Sequence, residues 1–300
     1  MNNVLVLIIS FLGGYLVKKT SSFDKSQVSL LNSFILYISL PSQILMYIPK
    51  MNFNYNFWAP ISVSWIIFII SVLFFNLLGK KLNINKKTII CLIMVCGLGN
   101  TSFVGLPLIE NYFGQEGVGI GIYVDQFGTF LVLSLLGIPY LLFKTNENIS
   151  TYSTIKKIIL FPPFISIIIA IFIRHLSITL PYTEVLKRLG DTLAPLALFS
   201  VGFQLTFSGL KGKSKILLFG LAFKLILAPL IIYILYIKLL SLNNLLGRVS
   251  VFEAGMGPMI TSTLIVSEKN IESELASVLL AFGIIFSFIT SFLWYKIFLV

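Results

Sequence analysis

Long apolar stretches alternate with short polar ones along this chain, at a spacing suited to a bilayer. Runs rich in Leu, Ile, Val and Phe occupy roughly residues 3–18, 27–49, 57–79, 88–113, 117–143, 157–175, 186–207, 214–240, 246–267 and 273–298. A spanning helix needs about 20 apolar residues, because each residue advances it about 1.5 Å through a hydrocarbon layer about 30 Å thick. The pattern predicts an all-α polytopic membrane protein of about ten transmembrane helices. The long polar connection, 145–156, holds Asn146, Asn148 and Ser150 and separates two halves, 1–144 and 157–300. An odd number of spans in each half turns the second upside down relative to the first. Pro41 and Pro195 lie in the second and seventh segments, Pro107 and Pro258 in the fourth and ninth, at similar offsets. The expectation is two inverted five-helix repeats.

Two segments carry their own interruptions. In the fourth, Gly97-Leu98-Gly99-Asn100-Thr101-Ser102-Phe103-Val104-Gly105-Leu106-Pro107 places three glycines, a proline and three polar side chains at membrane depth. The ninth repeats the theme with Phe252-Glu253-Ala254-Gly255-Met256-Gly257-Pro258. Backbone groups freed by such residues are tolerated in lipid only where protein or a wet cavity covers them. Broken helices at mid-membrane are how secondary transporters build binding sites, so the chain reads as a transporter.

Composition agrees. Apolar residues make up 57% and charged residues 11%, against about 45–50% and about 25% in soluble domains. The net charge of +11 sits in short interhelical loops, which marks orientation and not nucleic-acid binding. Lys and Arg are about twice as frequent in loops 1–2, 3–4, 5–6, 7–8 and 9–10 as on the opposite side, which predicts those loops in the cytoplasm and both termini outside. Met1 to Val17 lacks a basic stretch ahead of its apolar run, and Lys18-Lys19 follow it, so a retained first helix is expected. Two Cys within one segment and a single His offer no Cys/His metal site and no His-Glu-x-x-His helix. A Gly-x-Gly-Asp run, which intramembrane aspartyl chemistry would pair with a second aspartate, is missing beside Asp125 and Asp191.

Intramembrane charges cost several kcal/mol unless paired, hydrated or protonated, so each is a site candidate. Glu253 beside Gly255, Gly257 and Pro258 suits a cation or a proton; the alternative is a side chain reaching the outer surface. Lys224 lies too deep to snorkel easily. It is open to binding an anion, pairing with Glu253, or standing in for a coupling cation. Asp125, next to Gln126, either faces the fourth-segment break or lies at the interface. Pro41, Ser42 and Gln43, with Pro195 and Gln204, are either kinks with satisfied carbonyls or site residues.

Gly99-Asn100-Thr101-Ser102-Phe103-Val104-Gly105-Leu106-Pro107-Leu108 resembles the fourth-helix signature of the auxin efflux carrier family. Leu40-Pro41-Ser42 and Ala194-Pro195-Leu196-Ala197-Leu198-Phe199-Ser200-Val201-Gly202 resemble its second and seventh helices, so the likeness spans the chain. The resemblance implies helices 4 and 9 that unwind and cross. It also implies a scaffold domain and a transport domain, each assembled from both repeats, that move against each other. Bacterial members of that family are described as malate or malonate permeases. Glu253-Ala254-Gly255-Met256 also resembles the ninth-helix motif of the bile acid:sodium symporters, which implies sodium at Glu253 and the Met256 carbonyl.

The expected function is secondary transport of a small organic anion, a malate-like or malonate-like or an auxin-like carboxylate, across the cell membrane by an elevator or rocking alternating-access motion, coupled to sodium, to protons or to neither. Substrate is expected near Asn100, Thr101, Ser102, Pro107, Gly255, Met256, Pro258 and Lys224, with Pro41 and Gln43, since half-helix N-termini favour a carboxylate. Glu253, Asp125, Asn100 and Gln126 are expected to handle the coupling ion. No cofactor is expected beyond that ion, and the partners expected are the substrate, the bilayer and, by analogy, a second copy of the chain. A sodium symporter for a bile-acid-like anion is the nearest alternative, and a channel or ligand sensor a further one.

Overall fold

A computed structural model describes residues 2–20, 25–50, 57–145, 159–176, 183–205 and 213–299. Helix is the regular structure among them, as lipid demands of a backbone that must satisfy itself. In chain order the α-helices are α1 (Asn2–Thr20), α2 (Lys25–Phe34), α3 (Leu40–Tyr47), α4 (Trp58–Leu82) and α5 (Lys86–Cys96). They continue with α6 (Leu106–Tyr123), α7 (Ile138–Thr145), α8 (Pro162–His175), α9 (Thr183–Asp191) and α10 (Leu193–Gln204). The last are α11 (Ser214–Ala222), α12 (Ala228–Ile232), α13 (Leu245–Ala254), α14 (Ile260–Glu268) and α15 (Ser273–Trp294). Several are joined end to end by π-helical turns.

Five continuous helical stretches are long and apolar enough to cross a membrane: Ser29–Lys50, Trp58–Leu82, Thr101–Thr145, Ser214–Leu239 and Ser273–Phe298. The third merges what the hydrophobic pattern separates into the end of one segment and the whole of the next. The expected turn is nevertheless there, as a kink inside α6 at exposed Gly114. Its φ of 68° and ψ of −166° suit glycine and no residue with a Cβ. Except for Thr145, the connection expected at 145–156 lies outside the described residues.

The chain divides into two compact units. The first draws on Met1–Tyr55, Ser102–Ile122 and Thr151–Leu205. Its centre is the pair α1 and α10, whose backbones touch: a Cβ on Gly14 would lie 2.0 Å from the Phe199 carbonyl oxygen, and one on Gly202 2.0 Å from that of Phe11. With no hydrophobic force to drive helices together in lipid, such small-residue contacts are where van der Waals packing is won. Polar pairs reinforce the unit. Ser200 and Asn32 meet at 2.5 Å, Ser39 and Thr192 at 2.7 Å, and Lys18 donates to the Leu205 carbonyl.

The second unit takes Asn56–Thr101, Tyr123–Ser150 and Thr206–Val300. Here α15 turns Leu275, Val278, Leu279 and Ile284 inward, and Trp294 donates its indole N–H to the Leu225 carbonyl at 3.1 Å. At one end Glu272, ahead of α15, accepts from Lys213 at 2.5 Å, Thr88 at 2.8 Å and Asn85 at 3.4 Å. That clasp ties the starts of α5, α11 and α15 together.

Candidate functional site

Helix α5 begins at an Asn85 cap, whose side chain accepts from the Thr88 N–H at 2.7 Å, and stops at Cys96. Helix α13 begins in the same way at Asn244, which accepts from the Gly247 N–H at 3.2 Å, and stops at Ala254. The chain beyond each stop is extended, and the two extended pieces pair with each other. Gly99 and Pro258 form an antiparallel bridge. The Asn100 N–H donates to the Gly257 carbonyl at 2.8 Å, and the Met259 N–H to the Leu98 carbonyl at 3.2 Å. Backbone groups that two broken helices would leave bare in lipid thus satisfy one another. The two bonds interchange if Leu98 is exchanged with Gly257 and Asn100 with Met259. Under that exchange Asn85 falls on Asn244, so cap and crossing keep one spacing in both halves.

Glycines let this crossing close. A Cβ on Gly97 would lie 2.4 Å from the Ser71 Oγ, and one on Gly257 2.8 Å from the Gly283 carbonyl oxygen. A Cβ on Gly99 would lie 3.1 Å from the Lys224 Nζ. Lys224, 1% exposed, donates to the Ala254 carbonyl at 3.0 Å. Its ammonium therefore sits at the C-terminus of α13, the negative end of the helix dipole. Among the described residues it makes no ion pair with Glu253 and instead offsets the charge of a helix end.

Around the crossing, charge and polarity are buried together. Asp125, 2% exposed, accepts from the Thr101 hydroxyl at 2.5 Å and from the Gln126 amide at 2.6 Å. Among the described residues Glu253, 1% exposed, has no hydrogen-bond partner on either carboxylate oxygen. Neither acid reaches an outer surface. The Asn100 Nδ2, Gln126 Oε1 and Ser250 Oγ are likewise buried and unpartnered. Such atoms call for an explanation, and an exchangeable ion, proton, water or substrate supplies one. The π-helical turns Thr101–Gly105, Val124–Phe130 and Phe223–Leu227 carry Thr101, Asp125 with Gln126, and Lys224. One extra residue in each turn sets these side chains off the ordinary helical register.

A model of a membrane transport protein family matches residues 1–295. The chain belongs to this family, that of the auxin efflux carriers. Over 304 residues it is 26% identical to an uncharacterized transporter of Methanocaldococcus jannaschii, covering 98% of this chain and 97% of that one. An uncharacterized transporter of Methanothermobacter thermautotrophicus is 22% identical over 300 residues, covering 97% and 96%. The uncharacterized transporter YfdV of Escherichia coli O157:H7 is 20% identical over 309 residues, covering 98% and 96%. The protein is thus a membrane transporter and not an enzyme.

In this transporter the second unit brings together Asn100, Thr101, Asp125, Gln126, Lys224, Glu253, Gly255, Met256 and Pro258. Ser102, Pro107, Pro41 and Gln43 belong to the first. Pro107 does not form the break: it lies inside the continuous helical stretch Thr101–Thr145, directly after the π-helical turn Thr101–Gly105, the kind of irregular turn that accompanies a missing backbone N–H within a membrane helix. Gly99, and not Pro107, is the partner of Pro258. Gln43 donates to the Gly190 carbonyl at 3.3 Å within its own unit. Sequence reasoning missed Ser250, one turn before Glu253, and Gly283 on α15, where a Cβ would strike Pro258 at 2.2 Å. Ser250 is signalled by its i,i+3 spacing from Glu253; Gly283 has no sequence signal of its own.

Proposed function

We propose that this transporter carries a small organic anion, malate-like or malonate-like, across the cell membrane by an alternating-access motion. The observation that carries the reading is the Gly99–Pro258 crossing, with buried Lys224 and unpartnered Glu253 beside it. Helix α14 starts at Ile260 without a side-chain cap, so its first amides have no acceptor within the helix. A carboxylate at such an end gains both hydrogen bonds and dipole energy. Asn100 adds a donor, its Nδ2 being unpartnered.

The matching Asn85 and Asn244 caps support a ten-helix design of two inverted repeats. In it the unit holding the crossing is the transport domain and the other unit the scaffold, with both termini outside and the scaffold mediating a homodimer. Coupling runs through a proton on Glu253. A carboxylate buried without partners is costly, and a proton that comes and goes removes the charge while leaving the packing intact. Sodium at Glu253 and the Met256 carbonyl is the second reading, favoured by the same free oxygens. Against it, the Lys224 ammonium already holds the neighbouring Ala254 carbonyl and supplies a fixed positive charge there.

Radiolabelled malate uptake into proteoliposomes, with sodium and proton gradients imposed separately, tests the reading. A proton gradient should accelerate wild-type uptake and leave Glu253→Gln unaffected, and Asn100→Ala should slow uptake under every gradient while the protein stays folded. Acceleration by sodium alone selects the second reading. Wild-type flux in both variants refutes the site.

A further inference from the structure

The turn between α4 and α5 gathers four exposed lysines, Lys80, Lys81, Lys86 and Lys87. The turn is tight and preformed. Asn83 is left-handed, with φ of 51°, and the Ile84 N–H donates to the Gly79 carbonyl at 3.0 Å. Behind it the helices meet closely, since a Cβ on Gly79 would lie 2.2 Å from the Ile89 Cδ1. Four ammonium groups are therefore crowded over two helix ends, and among the described residues none of them is in an ion pair. Glu272 reaches this turn through Asn85 and Thr88, but its charge is matched by Lys213. Lys86 and Lys87 also stand in the first turn of α5, where the helix dipole disfavours a cation and the turn itself holds no acidic residue.

One face of α4 leads straight to this turn. Ile69, Leu73 and Leu77 recur every fourth residue and are 52%, 59% and 67% exposed, while Phe68, Ser71, Phe75 and Gly79 face inward. Orienting a loop requires only that lysines lie somewhere on its cytoplasmic side. It does not require them to oppose a helix dipole at the head of an exposed apolar stripe. We propose that this turn docks an anionic phospholipid, its phosphate among the four lysines and its acyl chains along Ile69, Leu73 and Leu77. A free phosphate would use the lysines and leave the stripe uncovered.

Native mass spectrometry of the full chain, equilibrated with phosphatidylglycerol and phosphatidylcholine of matched acyl chains, tests this. Wild type should retain phosphatidylglycerol preferentially. Selectivity should fall about fivefold for each lysine removed, the effect of one lysine near an anionic surface. The variant Lys86→Gln/Lys87→Gln gives a readout if Lys80→Gln/Lys81→Gln/Lys86→Gln/Lys87→Gln does not insert, and Lys296→Gln, beyond the opposite end of α15, should change nothing. Equal retention of the two lipids by wild type, or undiminished selectivity in the double variant, overturns the proposal. So does inorganic phosphate that raises the melting temperature as much as phosphatidylglycerol does.

Discussion

Replacing Gly283 with alanine drives a methyl group into the crossing from behind. The new Cβ would lie 2.2 Å from the Pro258 Cδ, 2.8 Å from its Cγ and 3.3 Å from the Leu221 Cδ2. Carbon atoms rest about 3.5–4.0 Å apart, so α15 or Pro258 must retreat by more than about 1 Å. Pro258 has no rotamer to escape into, because its ring is closed on the backbone. That backbone is held to Gly99 by the bonds from Asn100 to Gly257 and from Met259 to Leu98. The two backbones are already in close contact beside it, since a Cβ on Gly257 would lie 2.8 Å from the Gly283 carbonyl oxygen. Overpacking of this kind costs about 1–3 kcal/mol. At about 2–4 °C per kcal/mol for chains of 150–250 residues, the melting temperature should fall by several degrees. A displaced crossing should also slow transport. The assays are thermal unfolding followed by tryptophan fluorescence, and malate uptake in proteoliposomes. Gly13→Ala is the control, since its Cβ would meet nothing nearer than 4.0 Å. A Gly283→Ala protein that melts and transports like wild type would show that the crossing does not depend on this contact.

Gly14→Ala and Gly202→Ala should each lower the melting temperature more than Gly13→Ala, because each methyl meets a backbone carbonyl at 2.0 Å; equal melting of all three variants would argue against the close α1–α10 approach. The Glu272 clasp predicts a pH window. Burial pushes the Glu272 carboxyl up, but hydrogen bonds from Lys213, Thr88 and Asn85 outweigh it and hold the group below its usual 4.5. Lys213 is raised above 10.5, chiefly by its hydrogen bond to Glu272. The depressed acid stabilises the fold above pH 4.5 and loses its effect as pH falls through its lowered value. The raised base stabilises below pH 10.5 and loses its effect as pH rises through its own raised value. Wild-type melting should therefore drop outside that window, and Glu272→Gln should flatten the acid limb; an unchanged acid limb in the variant would remove the clasp from the account.

Much of the site was legible because a bilayer penalises what the site needs. Glu253, Lys224 and Asp125 stand out in apolar segments, and Gly97, Gly99, Gly255 and Gly257 mark where helices stop. Gly114 is where the turn between two spans was expected, and a positive φ occurs there. The register of the crossing was not legible from prolines. Proline is tolerated inside a membrane helix where the neighbouring backbone adjusts, so Pro107 lies beyond the break, behind the π-helical turn Thr101–Gly105, while Pro258 stays in it. The Asn85 and Asn244 caps are the better markers, since each fixes a helix start and the helix length then fixes the crossing. Gly283 was silent because a lone glycine in an apolar helix looks the same whether it faces lipid or another backbone.

The reversal at Gly114, nearly midway between them, explains why Thr101 and Asp125 converge, and π-helical turns carry both residues. Asp125 follows the fourth-segment break by more than six helical turns' worth of chain at about 3.6 residues per turn, and yet its carboxylate meets Thr101. A π turn gives up good hydrogen-bond geometry to admit one extra residue, which is why such turns are uncommon and cluster at functional sites. In lipid the cost is greater, because no water repairs a weakened bond. Not every such turn here bears on the crossing; Leu133–Gly137 carries no ionisable group. Three of them, however, present Thr101, Asp125 and Lys224, and all three residues are nearly inaccessible to solvent. Packing alone would favour regular helices with apolar side chains at those positions. Irregular backbone and buried charge at one place in one unit are what the proposed site for an ion and an anion requires.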